Sequence, residues 1–353
     1  YELGAGAHDV SVKSDVPIPE TCPDHSMLVQ VTAAGINPSN FKLHKARLPF
    51  VRWGFYFFGG PPIVGYDTAG IALHVGSSPD CADFSRGDRV YGFSGGSFAE
   101  YTLLRCGAAA LSPTTLNDTE VGALPVVALT SYDALRRGSV KEGDNVIVVG
   151  ASGGCGVFGV TLAKAFGAHV TGICSGRNAD FVTSLGADVV VNYRSESDMA
   201  KLRQLTDIDV VYDTVSSFDP QDPNYEPVLR PLLKAGGRYQ AINGAPLDWL
   251  RAVLDTIVFV ATGKRGLLQR ADYDLVVILP TKEQLTEIAD FFNNNTLTQV
   301  PLDAVYPLTS EGVNTAFDRM KSRRAVGKVV LLPQAATSLS ESSGHATSTD
   351  REL

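Results

Sequence analysis

The chain is short of positive charge: 30 lysines and arginines stand against 38 acidic residues, a net charge of −8. A phosphate backbone needs a basic face, so nucleic acid is excluded as a partner. Long apolar runs are missing as well. The longest greasy stretch, 252–262, is short and contains Asp255, which leaves no membrane-spanning segment. No signal-peptide pattern occurs. The chain opens on Tyr1 without a methionine, so a removed targeting segment stays open; the expected location is cytoplasmic, with an organelle as the alternative. Cysteine is sparse, with Cys22, Cys81, Cys106, Cys155 and Cys174 and no C-x-x-C pair. In a chain of this length they read as reduced thiols.

What is present is globular. Apolar residues make up 44% and charged residues 19% of 353 positions, enough for about two domains. From residue 144 onward, strand and helix patterns alternate. Strand-like runs at 145–149, 169–174, 188–193, 209–215, 238–242 and 273–279 are separated by helical runs at 157–166, 178–185, 198–205, 225–233 and 247–262. Continuous apolar strands between helices imply a parallel sheet covered on both faces, a doubly wound Rossmann-type α/β fold. The first third is instead rich in Pro and Gly, with short strands at 26–32, 68–75, 88–90 and 98–104, which reads as a β-rich barrel or sandwich. After Pro280 come a helix at 282–293, a strand near Val305, a helix at 310–324 and a last strand, a piece expected to pack back on the first domain. The domain reading is therefore 1–124 completed by 280–333, a dinucleotide-binding domain at 125–279, and a disordered Ser/Thr-rich tail at 334–353.

Residues 147–156 read IVVGASGGCG. Ala151-Ser152-Gly153-Gly154-Cys155-Gly156 is a variant of the dinucleotide fingerprint, following a strand and opening a helix. Gly153 admits a pyrophosphate to the backbone, Gly156 admits the helix to the sheet, and the helix N-terminus supplies N–H groups and partial positive charge. A carboxylate at the end of the second strand would select NAD. There the chain has Ser175-Gly176-Arg177, and a guanidinium pairs with a 2′-phosphate; Tyr193, ending the third strand, adds a donor or a stacking face. The expected cofactor is NADPH. Gly150-Ala151-Ser152-Gly153-Gly154 and Gly92-Phe93-Ser94-Gly95-Gly96 also match the G-x-S-x-G elbow of hydrolases. After Ser152 the only histidines are His169, at the wrong end of its strand, and His345 in the tail. Serine hydrolysis is set aside.

Taken in order, AAGINPSNFK at 33–42, PIVGYDTAG at 62–70, FSRGDRVYGF at 84–93, GSFAEY at 96–101, GALPVVALTSYDAL at 122–135, LGADVVVNY at 185–193 and GKVVLLP at 327–333 resemble the medium-chain dehydrogenase/reductase superfamily, in its zinc-free quinone oxidoreductase branch. The likeness covers about residues 28–333. It implies a GroES-like catalytic domain beside the Rossmann domain, and hydride transfer from NADPH to a quinone or an α,β-unsaturated carbonyl. The zinc enzymes of the superfamily carry a cysteine where this chain has Asn37, and Gly-His-Glu where it has Gly65-Tyr66-Asp67, so no metal is expected. The resemblance places Asn37 beside the nicotinamide and acceptor, and Thr130 near the nicotinamide ribose. It puts Ser152, Gly153, Gly154, Cys155 and Gly156 on the pyrophosphate, Ser175, Arg177 and Tyr193 at the 2′-phosphate, and Lys328 over the cofactor. Tyr66 is the expected acceptor-side hydroxyl, with a packed core tyrosine as the alternative; Asp67 and Asp88 are expected to be structural. The aromatic stretch 48–58, LPFVRWGFYFF, would line an acceptor pocket, meet a membrane or partner, or be core. Branch members pair as homodimers through their Rossmann sheets, and the apolar stretch 247–265 is a candidate contact. Two further roles remain open: a trans-acting enoyl reductase on acyl-carrier substrates, and a non-catalytic NADPH-binding partner protein.

Overall fold

The computed structural model describes residues 10–40, 63–217, 222–264, 266–270 and 272–333. The aromatic stretch 48–58 and the tail 334–353 lie outside the described residues. Strands β1 Ser26–Gly35, β2 Asp67–Val75, β3 Arg89–Phe93, β4 Tyr101–Arg105 and β5 Ala109–Leu111 come first, followed by helices α1 Asp118–Gly122 and α2 Pro125–Arg137. The alternating stretch then runs β6 Asn145–Val149, α3 Gly154–Ala165, β7 His169–Cys174, α4 Ala179–Ser184, β8 Val189–Asn192, α5 Glu196–Leu202, β9 Ile208–Asp213, α6 Glu226–Leu229, β10 Leu233–Ala241, α7 Pro246–Thr262 and β11 Tyr273–Leu275. It closes with α8 Lys282–Asn293, β12 Leu302–Pro307, α9 Ser310–Lys321 and β13 Lys328–Leu332.

These elements build two sheets. One is β-rich, with strand order β12-β13-β1-β2-β3-β5 and β4 on β1. Its pairs are antiparallel except β12 with β13. The other is wholly parallel, in the order β11-β10-β9-β6-β7-β8. Numbered from β6, that order is 3-2-1-4-5-6, the doubly wound arrangement. Its central strands bury their side chains on both sides: Val146, Ile147, Val148 and Val149 of β6 are at most 1% exposed. Such strands must be apolar throughout, which is why their sequences carry no alternation.

The sheets meet along α2 and α8. The Tyr91 hydroxyl on β3 donates to the Leu285 carbonyl of α8 at 2.5 Å, and α2, which starts at Pro125, contributes Val127, Ala128, Leu129, Tyr132, Ala134 and Leu135 to one continuous core with both sheets.

One expectation is corrected. Cys81 and Cys106 form a disulfide, with Cα atoms 5.1 Å apart, so the five cysteines are not all thiols; Cys22, Cys155 and Cys174 are free. Each partner sits in a short 3-10 turn, Pro79–Cys81 or Cys106–Ala108. The β-rich sheet sets the two turns side by side, and both sulfurs are buried. Nothing in a spacing of 25 residues announces this. No helix among the described residues is long and apolar enough to cross a membrane.

Candidate active site at the sheet junction

The order of the parallel sheet reverses between β6 and β9, and the crevice beyond their carboxyl ends is where such sheets bind ligands. The glycine turn leaves β6 at this point. Gly150 has φ +73°, and a Cβ there would stand 2.6 Å from Thr214 Oγ1. A Cβ on Gly156 would drive into the Gly150 carbonyl oxygen, so α3 packs on the turn only with glycine in that place. A Cβ on Gly153 would meet just one atom within 4 Å, the Gly150 oxygen at 3.4 Å. Open space therefore lies beside Gly153, the N-cap of α3, whose own side chain cannot cap the helix. The first-turn N–H groups have no carbonyl one turn earlier to bond, and they carry the positive end of the helix dipole. The turn thus has the backbone, space and polarity that a pyrophosphate requires.

The rim beside it is pinned by amides. Asn178 Nδ2 donates to Ser152 Oγ at 2.9 Å. Asn192 Oδ1 accepts from Gly176 N at 3.0 Å and from Arg194 N at 3.1 Å. One side chain thus holds both the loop after β7, carrying exposed Arg177, and the loop after β8, carrying exposed Tyr193 and Arg194. Ser175 is buried at the root of the first loop. The Arg194 guanidinium lies 5.5 Å from the Tyr193 ring centre. No acid stands at the end of β7, and two arginines flank it. Sequence reasoning named Arg177 but not Arg194 or the two pinning asparagines; the asparagines give no signal that periodicity or spacing detects.

Thr130 is buried on α2 and its hydroxyl donates to the Val126 carbonyl at 2.6 Å. The next residue, Ser131, lies within hydrogen-bond distance of the Val127 and Cys155 carbonyls and the Tyr212 hydroxyl. Cys155 offers its backbone at the start of α3, while its thiol turns inward to Tyr212; burial pushes that thiol up to about 11. A thiol held protonated in this way is a weak nucleophile.

The two sheets touch at this same turn. Gly153 bridges to Gly327, and Gly327 N donates to the Ser152 carbonyl at 2.9 Å. The next residue is Lys328, the first of β13. Its side chain passes alongside Gly154 and ends in a buried cluster. Lys328 Nζ donates to the Ile36 carbonyl at 3.0 Å, to Asn37 Oδ1 at 2.9 Å and to Asp67 Oδ2 at 2.9 Å. Asn37 Nδ2 donates to the same Asp67 oxygen at 2.9 Å, and Val126 N, in the first turn of α2, donates to Asp67 Oδ1 at 2.7 Å. Asn37, Asp67 and Lys328 are 2%, 0% and 3% exposed, so the cluster is shielded from bulk solvent. Asp67, read from the sequence as merely structural, is the hub where β1, β2, β13 and α2 converge. Its partners stand at residues 37, 126 and 328, and no local pattern links them. Asp88 serves a turn, accepting from Ser85 N at 2.7 Å.

Tyr66 adjoins the cluster in sequence. Its ring stacks on Phe93 with centroids 5.3 Å apart and planes 1° from parallel. Burial pushes its hydroxyl up to about 12, so it is a neutral phenol able to donate a hydrogen bond. Asn37, Tyr66 and Asp67 supply no thiolate or imidazole, and the ammonium of Lys328 already lies among Asn37 and Asp67. These residues do not fit a zinc ion. Among the described residues no group of three or more His, Cys, Asp or Glu side chains stands together in reach of a metal.

Residues 23–113 match the family described as the alcohol dehydrogenase GroES-like domain, and residues 185–331 that described as zinc-binding dehydrogenase. The trans-enoyl reductase pgmF of Aspergillus terreus is 28% identical over 342 residues, 92% of this chain and 91% of that protein. The chloroplastic quinone-oxidoreductase homolog of Spinacia oleracea is 27% identical over 355 residues, 94% and 97% of the two chains. Among solved structures, a mycobacterial protein complexed with NADPH superposes with a TM-score of 0.69 at 22% identity, covering 93% of this chain and 99% of its own.

Proposed function

The chain belongs to the medium-chain dehydrogenase/reductase superfamily, in its quinone oxidoreductase-like branch, and on that premise we propose that it is an NADPH-dependent reductase of quinones or α,β-unsaturated carbonyls, working without zinc. The observation that carries the reading is the contact between Gly153 and Gly327. It sets a phosphate-binding turn directly against the buried Asn37–Asp67–Lys328 cluster.

In this reading the first-turn N–H groups of α3 and the Ser152 hydroxyl hold the pyrophosphate; Gly153, whose own N–H bonds the Gly150 carbonyl, gives it room, and Cys155 takes part through its backbone. Ser175, Arg177 and Tyr193, joined by Arg194, receive the ribose 2′-phosphate. Thr130 borders the nicotinamide ribose, and the stem of Lys328 walls the same space beside Gly154. The reduced nicotinamide, when bound, supplies the hydride. The chain's part is to orient that ring, keep water out, and present donors to the acceptor's oxygen as it gains charge. The Asn37 amide and the Tyr66 phenol are the two donors offered. Burial holds Tyr66 protonated, so it also has a proton to give.

Rates of nicotinamide oxidation by NADPH and by NADH, with an ortho-quinone, a para-quinone and a simple enone, test the assignment. NADPH-selective turnover of any of them supports it. NADPH binding without turnover would remove it in favour of a non-catalytic role. A second reading rests on the likeness to a trans-enoyl reductase: an acyl-carrier enoyl thioester as substrate, identified by faster turnover of the carrier-bound chain than of the free enone.

A homodimer is part of the proposal. Helix α7 exposes Leu247, Leu250, Val253, Ile257 and Val260, each 48–73% exposed, and it packs on β11, the edge strand of the parallel sheet.

A further inference from the structure

We propose that Asp67 and Lys328 are positioning residues, an ion pair that locks the Asn37 amide in one orientation and leaves one amide N–H for the acceptor's oxygen. The inference rests on the reductase reading above in one respect only, the identity of the group that receives this hydrogen.

An asparagine amide has two orientations related by a half-turn that exchanges its oxygen and nitrogen. Here the oxygen lies 2.9 Å from the Lys328 ammonium and the nitrogen 2.9 Å from an Asp67 oxygen. The half-turn would press an NH2 group against an ammonium and a carbonyl against a carboxylate. All three side chains are buried, so bulk solvent does not screen either repulsion, and unpaired polar groups are costly there. The base of the residue is fixed too: Asn37 N donates to Asn40 Oδ1 at 2.6 Å.

A count of hydrogens shows what is left over. An ammonium has three, and Lys328 spends all three on Ile36, Asn37 and Asp67. It has none for a substrate and is not the proton donor. Asp67 accepts through both oxygens and, ionised, has nothing to donate. Asn37 Nδ2 has two hydrogens and spends one. The remaining N–H is the single donor that these three side chains do not use among themselves. Because the charges of Asp67 and Lys328 cancel, the cluster presents an amide dipole and not a net charge.

The test compares wild type with Asp67→Asn and with the doubly neutral variant Asp67→Asn/Lys328→Gln. The single variant strands a buried ammonium and should melt well below wild type. The double variant leaves no charge unpaired and should recover most of that loss, while the amide is no longer locked. In protein labelled with 15N-asparagine and free of cofactor, the Asn37 side-chain NH2 signals are identified by their loss in Asn37→Ser. They should exchange slowly with solvent in wild type and at least about tenfold faster in the folded double variant, as expected when a buried hydrogen bond to a charged partner is removed. Equal exchange in both overturns the lock. In turnover at saturating NADPH, kcat of the double variant should fall at least about tenfold, the pattern of a lost transition-state donor. A double variant with wild-type kcat overturns the positioning role. A wild type that shows the protected amide but reduces no acceptor overturns the reductase reading and leaves the lock standing.

Discussion

Replacing Arg177 by alanine is the most direct trial of the cofactor assignment. The residue stands exposed after β7, and its loop is fixed by the hydrogen bond from Gly176 N to Asn192. A hydrogen bond to a charged group contributes about 1.5–3 kcal/mol, whereas a fully exposed ion pair contributes about 0.2–1 kcal/mol. Arg177 belongs between these limits, because a phosphate accepts bidentately but solvent reaches the site. Arg194, on the neighbouring loop, remains to share the charge. A loss of about 1.4 kcal/mol is therefore expected, or about tenfold in the NADPH dissociation constant. NADH has no 2′-phosphate and should lose less than about twofold. Fluorescence titration of both nucleotides measures this directly. Repeating it at about 50 mM and about 300 mM salt adds a second check, because screening weakens an exposed pair and the wild-type advantage should shrink. Equal weakening of NADPH and NADH would refute the assignment, and so would an advantage indifferent to salt.

Gly156→Ala places a methyl group against the Gly150 carbonyl oxygen, between two pieces of backbone that cannot yield. It should destabilise the fold by about 1–3 kcal/mol and abolish nucleotide binding, as read by thermal melting and titration. Burial pushes Tyr66 and Tyr225 up to about 12, against about 10 in an unfolded chain. Above pH 10 the unfolded state therefore loses protons that the folded state keeps, so stability is full below that value and declines from about 10 to 12; melting temperatures flat across that window would contradict it. Alkylation of the denatured, unreduced protein should label three cysteines, and all five after reduction; Cys106→Ser should cost about 3 kcal/mol in chemical unfolding. Ile257→Glu should convert a dimer to a monomer in sedimentation, with its melting temperature as monomer little changed.

Much of the architecture was open to reading because it is local. The β7 strand at 169–174 and the α8 helix at 282–293 have the bounds that their patterns predict. The differences have local causes too. The expected helix at 225–233 is one α-turn followed by a 3-10 turn, because Pro231 has no amide to bond back to the carbonyl one turn earlier; Pro227, in the first turn, is no obstacle. The expected strand at 238–242 begins earlier, at Leu233, and slips register on β9 around Gly236, which has φ +82°. The expected strand at 273–279 shortens to three residues at the sheet edge, where only one neighbour supplies hydrogen bonds. The glycine turn was legible because close backbone approach demands a residue without a side chain. The role of Asp67 was not. A carboxylate states that it needs donors, but here they come from positions 37, 126 and 328, which only the folded chain brings together. The pairing of Cys81 with Cys106 was hidden for the same reason.

The bond between first and last strands has a consequence for how the molecule comes into being. β1 pairs with β13 at Ala34 and Leu331, so a strand made early on the ribosome waits for nearly the whole described chain before its partner emerges. The parallel sheet, whose strands lie between residues 145 and 275, has all its parts well before then. Contacts this distant in sequence form late and slowly. Until they do, Asp67 has a carboxylate and no ammonium to meet it, and the rim of the glycine turn lacks Gly327. A nascent or shortened chain ending before residue 327 would hold most of its fold and none of its finished pocket. The last strand is thus a completion signal: the cleft closes only on a chain translated through it.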